Sequence, residues 1–167
     1  MGISSPGWYQ SSTPNIPTPA LERVARVTVN LEPPQSTGHG PWGERRLVNI
    51  VGGSVDGPDL RGQVLNGGAD WQVVHADGMI SIDTRYAIRT HDEALIYIAT
   101  RGVRSGSPET LARLGRGEPV DPAEYYFRVW AQLETGAPAY AWLNQRLFLA
   151  AAVRLPDAVI YDLYAVT

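Results

Sequence analysis

Gly67-Gly68-Ala69-Asp70-Trp71-Gln72-Val73-Val74-His75, then Ala76-Asp77-Gly78, then Met79-Ile80-Ser81-Ile82-Asp83-Thr84-Arg85-Tyr86, reads as two runs of strand-forming residues around a turn. The Asp77-Gly78 pair favours the positive φ angles of a tight hairpin. Set into the two strands are an acid, two aromatics and an arginine (Asp70, Trp71, Arg85, Tyr86), more polar chemistry than a plain sheet needs.

The same period of two extends in both directions. Upstream, Leu21, Arg23, Ala25, Val27, Val29 and Leu31 share one parity, with Glu22, Arg26, Thr28 and Asn30 opposite. A Pro/Gly-rich loop over 33–43 leads to a strand over 45–55, in which Gly52-Gly53 mark a bulge or tight bend. A short run, 60–65, precedes the hairpin. Downstream, His91-Asp92-Glu93 turns the chain into the apolar run 94–103, and strands are expected over 125–133, 139–155 and 158–166. The helical signals are Ser107-Pro108-Glu109, closed by Gly115, and Asp121-Pro122-Ala123-Glu124 with capping-box spacing. Eight to ten antiparallel strands with one short helical insert predict an all-β closed barrel, because an open sheet of that length would leave long aggregation-prone edges. Residues 1–20, rich in Ser, Pro and Gly, are expected to form a flexible arm before a single domain over 21–167, with Trp8 and Tyr9 as anchors if it docks.

Composition narrows the chemistry. The 167 residues suffice for one core without staples. There is no cysteine, which removes disulfides, thiolate nucleophiles and most zinc sites. All fourteen basic residues are arginine, and without lysine neither Schiff-base chemistry nor covalent pyridoxal phosphate attachment is available. A net charge of −3 gives no footprint for nucleic acid or an anionic membrane. The absence of a spanning apolar run and of a secretory leader leads to the expectation of a cytoplasmic protein. His39, His75 and His91 have no chelating spacing, so no metal is expected, and the glycine pairs lack the strand–turn–helix context of a nucleotide loop. No cofactor is expected.

The segments Gly52-Gly-Ser-Val-Asp-Gly-Pro-Asp-Leu-Arg-Gly62, Gly67-Gly-Ala-Asp-Trp-Gln72, Asp83-Thr-Arg-Tyr86, Tyr126-Phe-Arg128 and Glu134-Thr-Gly-Ala-Pro-Ala-Tyr-Ala-Trp-Leu-Asn144 resemble the domain-of-unknown-function 3237 family. The likeness runs in order from Leu21 to Val166. It implies a barrel similar to that of allene oxide cyclase, with a small apolar ligand in the lumen. The turn over 90–93 usually reads Asp-Asp-Gly in that family, and here His91 and Glu93 stand at the first and last of those positions.

Strand parity groups the candidate site residues. Asp83, Arg85 and Arg89 share a face; Tyr97 and Arg101 share another; Tyr126, Arg128, Trp130, Gln132 and Glu134 a third; and Tyr140, Trp142, Asn144 and Arg146 a fourth. Two readings stand. These faces meet water and carry cross-strand ion pairs, or they line a lumen in which a few polar groups sit among aromatic walls. On the second reading Glu134 and Asp83 act as acid or base. Arg85, Arg101 and Arg128 hold anionic or carbonyl oxygens, Tyr97 and Tyr126 donate protons, and Trp130 and Trp142 stack on a planar substrate. Asp70 is a further substrate-binding candidate, against a simpler role in satisfying turn amides. The function expected is a cofactor-independent isomerase, cyclase or lyase acting on a small aromatic or polyketide-like molecule. The alternatives are a lipocalin-like binding protein and a homodimer joined through its outer sheet face.

Overall fold

A computed structural model describes residues 14–167. Residues 1–13, which hold most of the expected arm with Trp8 and Tyr9, lie outside the described residues. Ten antiparallel strands follow: β1 (Leu21–Leu31), β2 (Gln35–Gly40), β3 (Gly43–Asp56), β4 (Gly62–Val64), β5 (Gly68–Val74), β6 (Ile80–Thr90), β7 (Leu95–Gly106), β8 (Tyr125–Glu134), β9 (Phe148–Arg154) and β10 (Ala158–Val166). One helix, α1 (Pro108–Gly115), links β7 to β8.

The ring runs β1-β10-β9-β8-β7-β6, passes through β5 to β3, and closes where β3 pairs back onto β1. This is a closed eight-stranded antiparallel barrel with β2 and β4 as additional strands. At the seam Val29 lies opposite Gly53 and Thr28 opposite Ser54. Gly53 has φ +147°, and a Cβ placed on it would lie 1.9 Å from the Thr28 carbonyl oxygen. Gly53, the second glycine of the pair noticed in the sequence, is therefore what lets the two closing strands approach. Among the described residues no helix is long and apolar enough to cross a membrane.

The turn residues act as their chemistry dictates, with one difference from expectation and one strained position. In the 75–79 turn only Gly78 has positive φ (+84°), and Asp77 instead accepts a hydrogen bond from the Met79 amide at 3.0 Å. In the 90–93 turn Glu93 sits at φ +67°, a left-handed conformation that disfavours a residue with a Cβ. Glu93→Gly is therefore expected to raise stability by about 1 kcal/mol, read as the midpoint of a urea titration; a lower midpoint would show that Glu93 makes a compensating contact. The helix begins as read: Ser107 caps it by accepting from the Thr110 amide at 3.1 Å, and Pro108 holds the first position.

The barrel has unlike ends. The end reached by the starts of β1 and β9 is filled, with Leu60, Leu143 and Phe148 each about 1% exposed over Ile88, Ile96 and Leu163. Leu143 comes from 3₁₀ turns over Pro138–Gln145, where a strand is expected from sequence. Tyr140 and Leu143, both buried, have the i, i+3 spacing that a three-residue turn stacks on one side. The strand therefore starts only at Phe148, and the grouping of Tyr140, Trp142, Asn144 and Arg146 on one strand face does not exist. Among the described residues, the opposite end, beside α1, is open.

Candidate functional site

The charged strand faces point outward. On β8 the buried residues are Tyr125, Phe127, Val129, Ala131 and Leu133, while Tyr126, Arg128, Trp130, Gln132 and Glu134 are exposed. On β6 the buried set is Ile80, Ile82, Thr84, Tyr86, Ile88 and Thr90. The lumen placement of Glu134, Asp83, Arg85, Tyr97, Arg101, Tyr126, Arg128 and Trp130 is thereby corrected. The apolar parity alone fills the interior, and their parity meets solvent. Some of them do meet on the outer surface. Arg85 and Arg101 flank Asp83 at 3.2 and 3.6 Å, Arg128 lies over the Tyr126 ring at 5.3 Å, and Tyr97 is opposite Glu134. Ion pairs this exposed contribute about 1 kcal/mol or less each. Arg101, Tyr126, Arg128 and Trp130 border an external groove of about 420 Å³. Trp142 is half-buried, its ring 5.9 Å from that of Phe148, as part of the filled end.

Asp70 is the one sequence candidate that faces inward. It is 8% exposed and sits on β5 opposite Thr84 of β6. Gln72 Nε2 donates to its Oδ2 at 2.7 Å and the Asp83 amide to its Oδ1 at 3.2 Å. Burial raises its carboxyl above the ordinary range, against these hydrogen bonds, which pull the other way. It borders a lumenal cavity of about 40 Å³, whose other polar lining is Thr84, Thr100, Tyr86 and Tyr161 among Val, Ile, Leu, Ala and Phe side chains. That is room for a few waters at most. The Tyr86 and Tyr161 hydroxyls, both buried, hydrogen-bond to each other. Burial raises both phenols, so each keeps its proton at neutral pH.

Above this cavity lies a wider one of about 300 Å³ that shares Leu31 and Val159 with it. It is the open mouth, bordered by Gln72, Arg46, Arg104 and Arg154, with α1 contributing Leu114 and Gly115. Arg46, Arg104 and Arg154 each extend an inward apolar parity to the strand's end: Ile50-Val48-Arg46 on β3, Ile96-Ile98-Thr100-Arg104 on β7, and Phe148-Ala150-Ala152-Arg154 on β9. Sequence reasoning missed all three, although an arginine closing a buried parity run was visible. Among the described residues no cluster of His, Asp or Glu has metal-holding geometry.

Comparison with known proteins agrees with this architecture. The model of a family described as "Protein of unknown function (DUF3237)" matches residues 19–166. A UPF0311 protein of Rhodopseudomonas palustris is 42% identical over 151 residues, covering 89% of this chain and 99% of the relative. The crystal structure of a beta-barrel like protein from Acinetobacter baumannii superposes with TM-score 0.82 at 46% identity, over 92% of this chain and 99% of that one. A structure described as an enzyme from Penicillium herquei shares the fold at TM-score 0.66 and 21% identity, over 90% and 99% of the two chains. At that identity the likeness speaks for the fold alone.

Proposed function

Since the chain belongs to the DUF3237 family, described as of unknown function, we propose its function from its own lumen: it takes the apolar part of a small molecule through the open mouth and moves a proton on it with Asp70. The observation that carries this reading is the placement of a single buried carboxyl in an apolar hollow beside two protonated phenols. A carboxyl raised by burial is poised between acid and base closer to neutral pH than a solvated one. The paired phenols supply a hydrogen bond to an oxygen on which negative charge builds, as an enolate requires. Isomerisation, cyclisation or elimination of an activated carbonyl compound needs little beyond these groups and an enclosing shape. The lumenal cavity is narrow, so a bound ring would straddle it and the mouth.

The test uses Asp70→Asn, which keeps shape and one acceptor while removing the titrating proton. A panel of small cyclic and aromatic ketones is incubated with protein in D₂O, with deuterium uptake read by mass spectrometry and binding read by calorimetry. Ketone exchange by the native chain, lost by about 10²-fold or more in Asp70→Asn with binding retained, is the expected outcome. Binding without exchange in the native chain would make the protein a lipocalin-like carrier instead. The same substitution has a signature in stability. The folded state holds the Asp70 proton more tightly than the unfolded chain does. Stability from this group therefore falls as pH rises from the ordinary carboxylate value through the raised one. Melting temperature against pH should be flatter over that interval in Asp70→Asn than in the native chain.

A further inference from the structure

Among the described residues, Arg104 is the charged side chain that is buried with the fewest partners. Arg104 is 7% exposed, and its Nε and Nη1 are buried without a hydrogen-bond partner among the described residues. Its guanidinium carbon lies 5.6 Å from the centre of the Phe127 ring, which supplies a weak electrostatic contact and no acceptor. Burial and the neighbouring Arg154 and Arg46 lower its pKa to about 10, while Asp70 and Tyr125 act through space in the opposite sense. At that value the group is still a cation at neutral pH, and a buried cation with open donors is costly unless something anionic meets it.

The surroundings are set up for the same charge. Arg154 is anchored by donating to the Pro156 and Ala158 carbonyl oxygens at 2.9 and 3.2 Å, which holds its positive head at the mouth without neutralising it. Arg46 is paired with Glu44 at 2.8 Å, and Arg116, at the rim, with Glu118 at 2.6 Å. Among the described residues, Asp157 is the one acid bordering the mouth cavity itself, against Arg46, Arg104, Arg116 and Arg154. The cavity is thus electropositive, polar on this side, and adjoins the apolar lumen on the other, where Leu31 and Val159 line both.

We propose that the open mouth is a carboxylate site, with Arg104 as its principal ligand-binding residue and Arg154 beside it, so that the molecule accepted is an amphipathic organic acid: carboxylate at the mouth, apolar body toward Asp70. A planar guanidinium with free donors matches a carboxylate in two hydrogen bonds, a geometry that an ammonium group cannot give. The identity of the apolar body rests on the lumen reading above; the anion site does not.

Three probes separate the two: acetate, phenylacetamide and phenylacetate, each titrated by calorimetry and thermal shift at fixed ionic strength. The native chain is expected to bind phenylacetate about ten-fold or more tighter than phenylacetamide, and acetate is expected to raise its melting temperature. In Arg104→Met both effects disappear and the apoprotein melts at the same or a higher temperature, because a strained charge has gone. Arg104→Lys, which keeps the charge but not the fork, should retain only part of the preference and provides a second folded variant. A phenylacetate preference that is absent from the native chain, or survives in Arg104→Met, overturns the carboxylate site. Protection by acetate with no binding of phenylacetamide would leave the carboxylate site standing and remove the lumen as the place for the apolar body.

Discussion

Gly53→Ala is expected to destabilise the barrel by about 3–5 kcal/mol, a large part of the stability of a domain this size. The added methyl carbon would lie 1.9 Å from the Thr28 carbonyl oxygen, 2.9 Å from its carbon and 3.2 Å from the Val29 Cα, and all three are backbone atoms with no rotamer to yield. Relief requires β1 and β3 to part, and theirs is the pairing that closes the ring. The positive φ adds strain of its own. Gly67→Ala is the matched comparison: its φ is +111°, yet nothing lies within 4 Å of the added carbon, so it should cost only about 1–2 kcal/mol. Denaturant midpoints of the two variants, measured side by side, decide the matter. Equal losses would mean that backbone strain, and not closure of the seam, is what glycine provides at position 53.

The second large effect is expected at the phenol pair. Tyr161→Phe leaves the Tyr86 hydroxyl buried with nothing to bond, and Tyr86→Phe does the same to Tyr161. Each single change should cost about 1–3 kcal/mol, whereas the double change to phenylalanine should return most of that loss. The double-mutant cycle therefore yields a coupling of about 1–2 kcal/mol between the two sites. Its pH dependence has a definite sign. Both phenols are raised by burial, so the folded state keeps protons that the unfolded chain gives up near the ordinary tyrosine value. Native stability must fall as pH climbs past about 10, and the double variant should lack that part of the decline. A double variant as unstable as the worse single one would show that the hydroxyls have other partners.

The fold was legible because β6 and β8 obey a strict alternation, and because Asp77-Gly78 and Ser107-Pro108 mark turn and cap in local chemistry, whereas Gly52-Gly53 reads only as a bulge or bend and its place at the seam is a tertiary fact. It failed at 138–145, where apolar composition suits a strand and a 3₁₀ turn equally, and where the deciding fact, the use of Leu143 to fill one end, is a tertiary one. Of the candidate residues read from sequence, Asp70 is the one that faces the lumen. Elsewhere the parity richest in charge resembles a site, but in a barrel this narrow it must lie outside. Eight strands leave a centre that aliphatic side chains nearly fill. The better signal was the exception within the apolar parity: Arg46, Arg104 and Arg154 each end such a run, and antiparallel pairing brings those three ends to one rim. That convergence depends on register between distant strands, which a pattern read along one strand does not contain.

The plug formed by Leu60, Leu143 and Phe148 makes the barrel a vessel with one doorway. Whatever goes in must back out along the same path, past the same guanidinium groups and beneath the same helix. Arrivals and departures then exclude one another, and a departing molecule that keeps its grip on the doorway blocks the next. Under the proposed function, throughput is capped by how readily the occupant lets go, so a side chain that tightens retention at the rim slows exit in the same measure.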